Sequence, residues 1–80
     1  MRLDKYLKVA RVIKRRTVAN EACDAGRILV NGKVAKAGYE VKVGDVIEFT
    51  MGSRETKIQV DRVSEVVRKE EAGEMYTIIN

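Results

Sequence analysis

Apolar positions along this chain recur first with a helical period and then alternate. Leu3, Leu7 and Ala10 fall at i, i+4 and i+7, with Tyr6 and Ile13 flanking the same stripe. That spacing predicts an amphipathic helix over residues 3–13, with Asp4, Lys8, Arg11 and Arg15 on the opposite side. Thr17 is suited to an N-cap and Gly26 to a helix end, so a second helix is expected over 18–25. Its face of Val18, Ala22 and Ala25 is small enough for a neighbour to approach closely. The triplet Lys14-Arg15-Arg16 then falls at the junction, beside the open backbone N–H groups of the second helix.

Beyond Gly26 the period becomes two. Arg27-Ile28-Leu29-Val30 leads into Asn31-Gly32, the strongest short hairpin signal, and returns as Lys33-Val34-Ala35. Gly38 and Gly44-Asp45 mark further turns. Residues 46–49 and 57–63 read as two more strands, joined by a loop of Met51-Gly52-Ser53 with Arg54 and Glu55. An acidic stretch at 70–74 predicts a short helix, and 76–79 a last strand. The expected fold class is α+β: two short N-terminal helices followed by a small, mostly antiparallel sheet, in one domain over 1–80.

Composition removes several function classes. With one cysteine and no histidine, an internal disulfide and a zinc-finger site are both excluded. The same absences take away most nucleophilic and general-base chemistry near neutral pH, and no carboxylates or lysines group as a catalytic site. Neither an enzyme, a metal nor a cofactor is expected. Cys23 lies among small residues and reads as a buried packing group. No apolar run approaches the roughly 18 residues of a membrane span, and the N-terminus lacks the apolar core of a signal peptide. A cytoplasmic monomer without membrane contact is the expectation.

Charge changes the picture more. Residues 1–16 carry seven basic groups against the single acid Asp4, a net +6, whereas 17–80 carry nine basic and eleven acidic groups, a net −2. A cationic N-terminal fifth on a nearly neutral body is the footprint of polyanion binding. Arginine suits phosphate because its planar fork makes paired, charge-assisted bonds. Lys8, Arg11, Lys14 and Arg15 add less directional attraction, and Arg27 and Lys33 flank the hairpin within reach of RNA. Double-stranded RNA is recognised by shape and 2′-hydroxyls, so little sequence preference is implied. Tyr6 lies on the apolar stripe and reads as core rather than as a stacking platform. Asp4 has two readings: it compensates the helix dipole and pairs with Lys8, or it orients Arg2 or Arg11. A helix-turn-helix DNA regulator is the competing class, but residues 18–25 contain Glu21 and Asp24 and no basic residue.

Five motifs in order, Arg2-Leu3-Asp4, Arg16-Thr17, Ala25-Gly26-Arg27, Val30-Asn31-Gly32 and Val43-Gly44-Asp45-Val46-Ile47, resemble the S-four RNA-binding domain. The match covers 2–49 and leaves 50–80 as additional strands and a short C-terminal segment. Residues 4–17 and 69–77 are further similar to the RqcP family, stand-alone domains of this type. The long basic extension of the related ribosome-associated heat-shock proteins is not seen. The resemblance implies an S-four-type fold with its αL motif, and a non-enzymatic role in ribosome-associated quality control. Members bind large subunits obstructed with peptidyl-tRNA, contacting rRNA and the P-site tRNA. They support alanine tailing of the stalled chain by an RqcH-type partner. It also implies that Arg2 and Arg16 bind RNA, with Asp4 near the same RNA. A factor of ribosome assembly or recycling is the alternative within this class.

Overall fold

Leu3, Tyr6 and Leu7 have no exposed surface, and burying them fixes how the first helix sits. The computed structural model describes residues 1–51 and 53–79. Its elements are α1 (Leu3–Val9), α2 (Arg16–Asp24), β1 (Ile28–Val30), β2 (Lys33–Val34), β3 (Val46–Met51), β4 (Arg54–Val60), a 3-10 turn (Lys69–Glu74) and β5 (Tyr76–Ile78). The strands form one antiparallel sheet in the order β2-β1-β3-β4-β5. Pairing Ile28 with Phe49, and Ile47 with both Val30 and Ile58, lines up one apolar face. That face joins Leu3, Leu7, Ala19 and Cys23 in a single core cluster. The α+β architecture read from the pattern is the one observed.

α1 is shorter than its apolar stripe. It stops at Val9 because Arg11 adopts the left-handed region at φ 60°. Arg11 N–H then donates to Lys8 O at 3.1 Å and Val12 N–H to Leu7 O at 3.0 Å, the paired bonds of a Schellman ending. Ala10 and Ile13 remain buried, but in the connection rather than in the helix. α2 ends the same way with the usual residue: Gly26 sits at φ 76°, and Gly26 and Arg27 donate back to Cys23 and Ala22.

α2 also starts earlier than expected. Arg15 is its N-cap and makes no side-chain capping bond, while Thr17 lies inside the first turn. The bonds that Arg16 and Asn20 make to Asp4 outweigh the capping preference of Thr17. The helix buries Ala19 and Cys23 while Val18 is 48% exposed, in place of the anticipated Val18, Ala22 and Ala25 face.

Asn31 at φ 53° and Gly32 at φ 83° form the hairpin turn that the dipeptide predicts. β4 is displaced towards the N-terminus: Arg54 and Glu55, read as loop, pair with Met51 and Thr50. It ends at Val60 because the next two N–H groups, of Asp61 and Arg62, both turn to Met75 O. Gly52, in the anticipated loop, lies outside the described residues. The short turn over the acidic stretch and the final strand occur where expected.

Candidate nucleic-acid interface

The backbone at the start of α1 is held by a loop far along the chain. Leu3 and Asp4 donate their N–H groups to Tyr39 O and Ala37 O at 2.8 and 3.2 Å, and Val41 donates to Met1 O at 2.9 Å. First-turn donors that would otherwise need a side-chain cap are satisfied this way. The arrangement sends the Asp4 carboxylate inward, where its side chain is 3% exposed, and leaves the Arg2 side chain 52% exposed.

Asp4 is the centre of the site. Its Oδ1 accepts from Lys5 N–H at 2.8 Å and Arg2 Nε at 3.2 Å. Its Oδ2 accepts from Asn20 Nδ2 at 3.2 Å, Arg16 Nε at 3.4 Å and Arg2 Nη2 at 3.4 Å. Burial pushes the carboxyl up, but the bonds from Asn20, Arg16 and the Lys5 N–H together outweigh it and hold it below the ordinary value of 3.8. Asp4 is therefore a fixed anion on which two arginines converge, one from the N-cap of α1 and one from the first turn of α2. Arg16 faces it through Nε and Arg2 through its Nε–Nη2 edge, which leaves N–H groups on the far side of each guanidinium for a phosphate.

Of the two readings of Asp4, orientation of arginines is the one observed, with partners Arg2 and Arg16 rather than Arg11, and Lys8 is not paired with it. Lys8 and Arg11 instead border a second depression with Val9, Glu65 and Val66. Lys14 and Arg15 are exposed in the connection leading into α2. Lys5 is drawn away from the cationic set by an ion pair with Glu65. Arg27 lies in another depression with Ile13, Val18 and Ala22, and Lys33 in one with Asn31, Lys36 and Tyr39. The structure thus joins Arg2, Asp4 and Arg16 directly, and leaves Arg27 and Lys33 on surfaces of their own.

Two features escaped the sequence reading. Asn20 shares the Asp4 carboxylate, and its only sequence signal is the i, i+4 spacing from Arg16. Asp45, read as a turn residue within the Val43–Ile47 motif, is 8% exposed and accepts from Asn31 Nδ2, Tyr39 OH and Lys42 N–H, each at 3.0 Å. Asn31 thereby does more than turn the hairpin, since its Oδ1 also accepts from Val46 N–H at 3.0 Å. The two core readings hold. Tyr6 is fully buried and donates its hydroxyl to Met75 O at 2.7 Å. Burial, with the charges of Asp4 and Asp24, pushes the buried Cys23 thiol up to about 11, so it stays protonated. Among the described residues no group of His, Cys, Asp and Glu is arranged to hold a metal, and no helix is long and apolar enough to cross a membrane.

Residues 1–47 match the S4 domain family. The chain is 54% identical over 78 residues to the RQC P-site tRNA stabilizing factor of Halalkalibacterium halodurans, covering 98% of this chain and 89% of that one. It is 51% identical over 79 residues to the protein of that name in Bacillus subtilis, covering 99% and 92%. The trimeric structure of Vibrio cholerae heat shock protein 15 aligns with a TM-score of 0.92 at 32% identity, covering 99% of this chain and 81% of that one. With a buried acid presenting two arginines, and with these relatives, the chain belongs to the S4 domain family and, within it, to the RQC P-site tRNA stabilizing factors, which are non-enzymatic RNA-binding proteins of ribosome quality control.

Proposed function

We propose that the surface formed by Arg2, Asp4 and Arg16 grips the phosphate backbone of structured RNA on the large ribosomal subunit. The observation that carries this is the buried Asp4 carboxylate, which holds two half-exposed guanidinium groups, one from the N-cap of α1 and one from the start of α2. A solvated charged face needs no buried acid beneath it. Lys8, Arg11, Lys14 and Arg15 extend the positive field around this grip, and Arg27 and Lys33 act as flanking charges.

The relatives' name, RQC P-site tRNA stabilizing factor, supports a P-site tRNA as one contact. The setting that goes with it in this reading is a large subunit that still holds peptidyl-tRNA, with the protein contacting rRNA as well. In that setting residues 1–80 act as one cytoplasmic, monomeric unit. It steadies the tRNA while an RqcH-type partner adds an alanine tail to the stalled chain.

Arg16→Ala and Lys69→Ala each remove one positive charge and separate a positioned site from bulk attraction. Arg16→Ala is expected to weaken sedimentation with peptidyl-tRNA-bearing large subunits by about tenfold, and Lys69→Ala by less than about twofold. Equal losses would show that net charge alone does the binding. Preferential association with precursor particles would favour an assembly role, and equal affinity for duplex DNA would overturn the RNA reading.

A further inference from the structure

We infer that Asn20 is a positioning residue for RNA binding, holding the Asp4 carboxylate in place while Arg2 and Arg16 engage phosphate. The inference rests on the reading of Arg2, Asp4 and Arg16 as the RNA grip. Asn20 stands one helical turn after Arg16, so both side chains leave the same face of α2 and reach the same oxygen, Asp4 Oδ2, at 3.2 and 3.4 Å. The other oxygen receives the Lys5 N–H at 2.8 Å and Arg2 Nε at 3.2 Å. Each carboxylate oxygen therefore has one neutral amide donor and one guanidinium Nε, and Oδ2 also accepts from Arg2 Nη2 at 3.4 Å.

The two kinds of donor behave differently when RNA arrives. A guanidinium is attracted to the incoming phosphate, and its bond to Asp4 weakens as it turns. An amide N–H carries no charge for the phosphate to attract. The neutral donors thus hold the buried carboxylate, and the arginines pivot on it. Of these two, only Asn20 comes from a side chain. It also borders the depression of about 340 Å³ that Asp4, Arg16, Thr17 and Glu21 line, so its amide lies at the edge of the proposed contact. The residue type fits: a lysine here would compete with Arg16 for the carboxylate, and an aspartate would repel it.

The test measures affinity of the full-length chain for a large-subunit rRNA stem-loop across a salt series, at temperatures where circular dichroism shows each variant folded. Asn20→Ala is expected to bind about tenfold more weakly, the scale of one charge-assisted hydrogen bond. The slope of log affinity against log salt should also fall by about one, as a guanidinium loses its phosphate. Asn20→Asp should bind at least as weakly. In an Arg16→Ala background, Asn20→Ala should cost less than about threefold, because the two act through one carboxylate. A merely structural asparagine would lower the melting temperature, leave the salt slope alone and add its full effect to Arg16→Ala, and that pattern overturns the proposal. Should Asn20→Ala not fold, wild-type affinity in Asn20→Asp overturns it equally. If Arg2→Ala and Arg16→Ala bind normally, the grip itself is wrong. If they bind weakly and Asn20→Ala does not, only the role of Asn20 fails.

Discussion

Asp4 and Asp45, the buried acids among the described residues, are 2% and 8% exposed, and each gathers hydrogen bonds from several elements. Around Asp4 the donors include two arginines whose far ends reach solvent. Around Asp45 they are an amide, a phenol and a backbone N–H, all neutral. For both, burial raises the carboxyl and the hydrogen bonds more than reverse it. The difference lies in what is left over. Asp45 consumes its donors and ties the hairpin to the turn beside it, so it serves the fold. Asp4 holds cations that can still bond outward, so it serves a surface. A buried acid is informative about function when its partners retain unused bonding capacity.

The largest expected effect tests the structural half of that comparison. Asp45→Ala strands Asn31, Tyr39 and the Lys42 N–H together and should cost about 2–4 kcal/mol in denaturant unfolding. RNA affinity of the folded variant should stay within about twofold of the wild type. Asp4→Ala should invert the profile, losing at least about tenfold in RNA affinity, with a stability loss nearer 1–3 kcal/mol because its arginine partners are half exposed. RNA binding reduced equally by both substitutions would erase the distinction.

Acid titration should show what the two sites share. Each carboxyl is depressed in the folded chain, so its stabilisation is complete above the unfolded value of 3.8 and is lost as pH falls through the lower folded value. Thermal melts are expected to fall away below about pH 4, and Asp45→Asn should flatten part of that acid limb. With no histidine in the chain, little change is expected between about pH 5 and 8. The smallest effect concerns the rim of the surface. Arg11→Gly relieves a left-handed arginine and should raise stability by about 1 kcal/mol while weakening RNA binding by about threefold. A variant that gained stability without losing affinity would remove Arg11 from the interface.

These details divide by the range of the interaction that sets them. Asn31-Gly32, Gly26 and the alternation of β1 and β3 carry their instructions locally, so the hairpin, the end of α2 and the order of elements were legible. Arg11 takes a role usually signalled by glycine, and nothing around it in the sequence announces that α1 ends there. The start of α2 depends on Asp4, 12 residues from Arg16 and 16 from Asn20, and overrides the local signal at Thr17. The end of β4 depends on Met75. Charge asymmetry located the cationic face, but charge counting alone does not distinguish Arg2 and Arg16, which share an acid, from Lys5, which is paired with Glu65. Asp45 was missed because its partners meet only after the chain folds.

The Tyr6 hydroxyl, bonded to Met75 O across 69 residues, has a consequence in time. During synthesis the first helix is made 69 residues ahead of the carbonyl that completes its seat. The N–H groups opening that helix wait in turn for the backbone of residues 37–39. A nascent chain therefore displays its basic segment on the surface of the very particle that makes it long before α1 can be fully docked. The first helix is fully seated only once Met75 has been added and can fold back onto it.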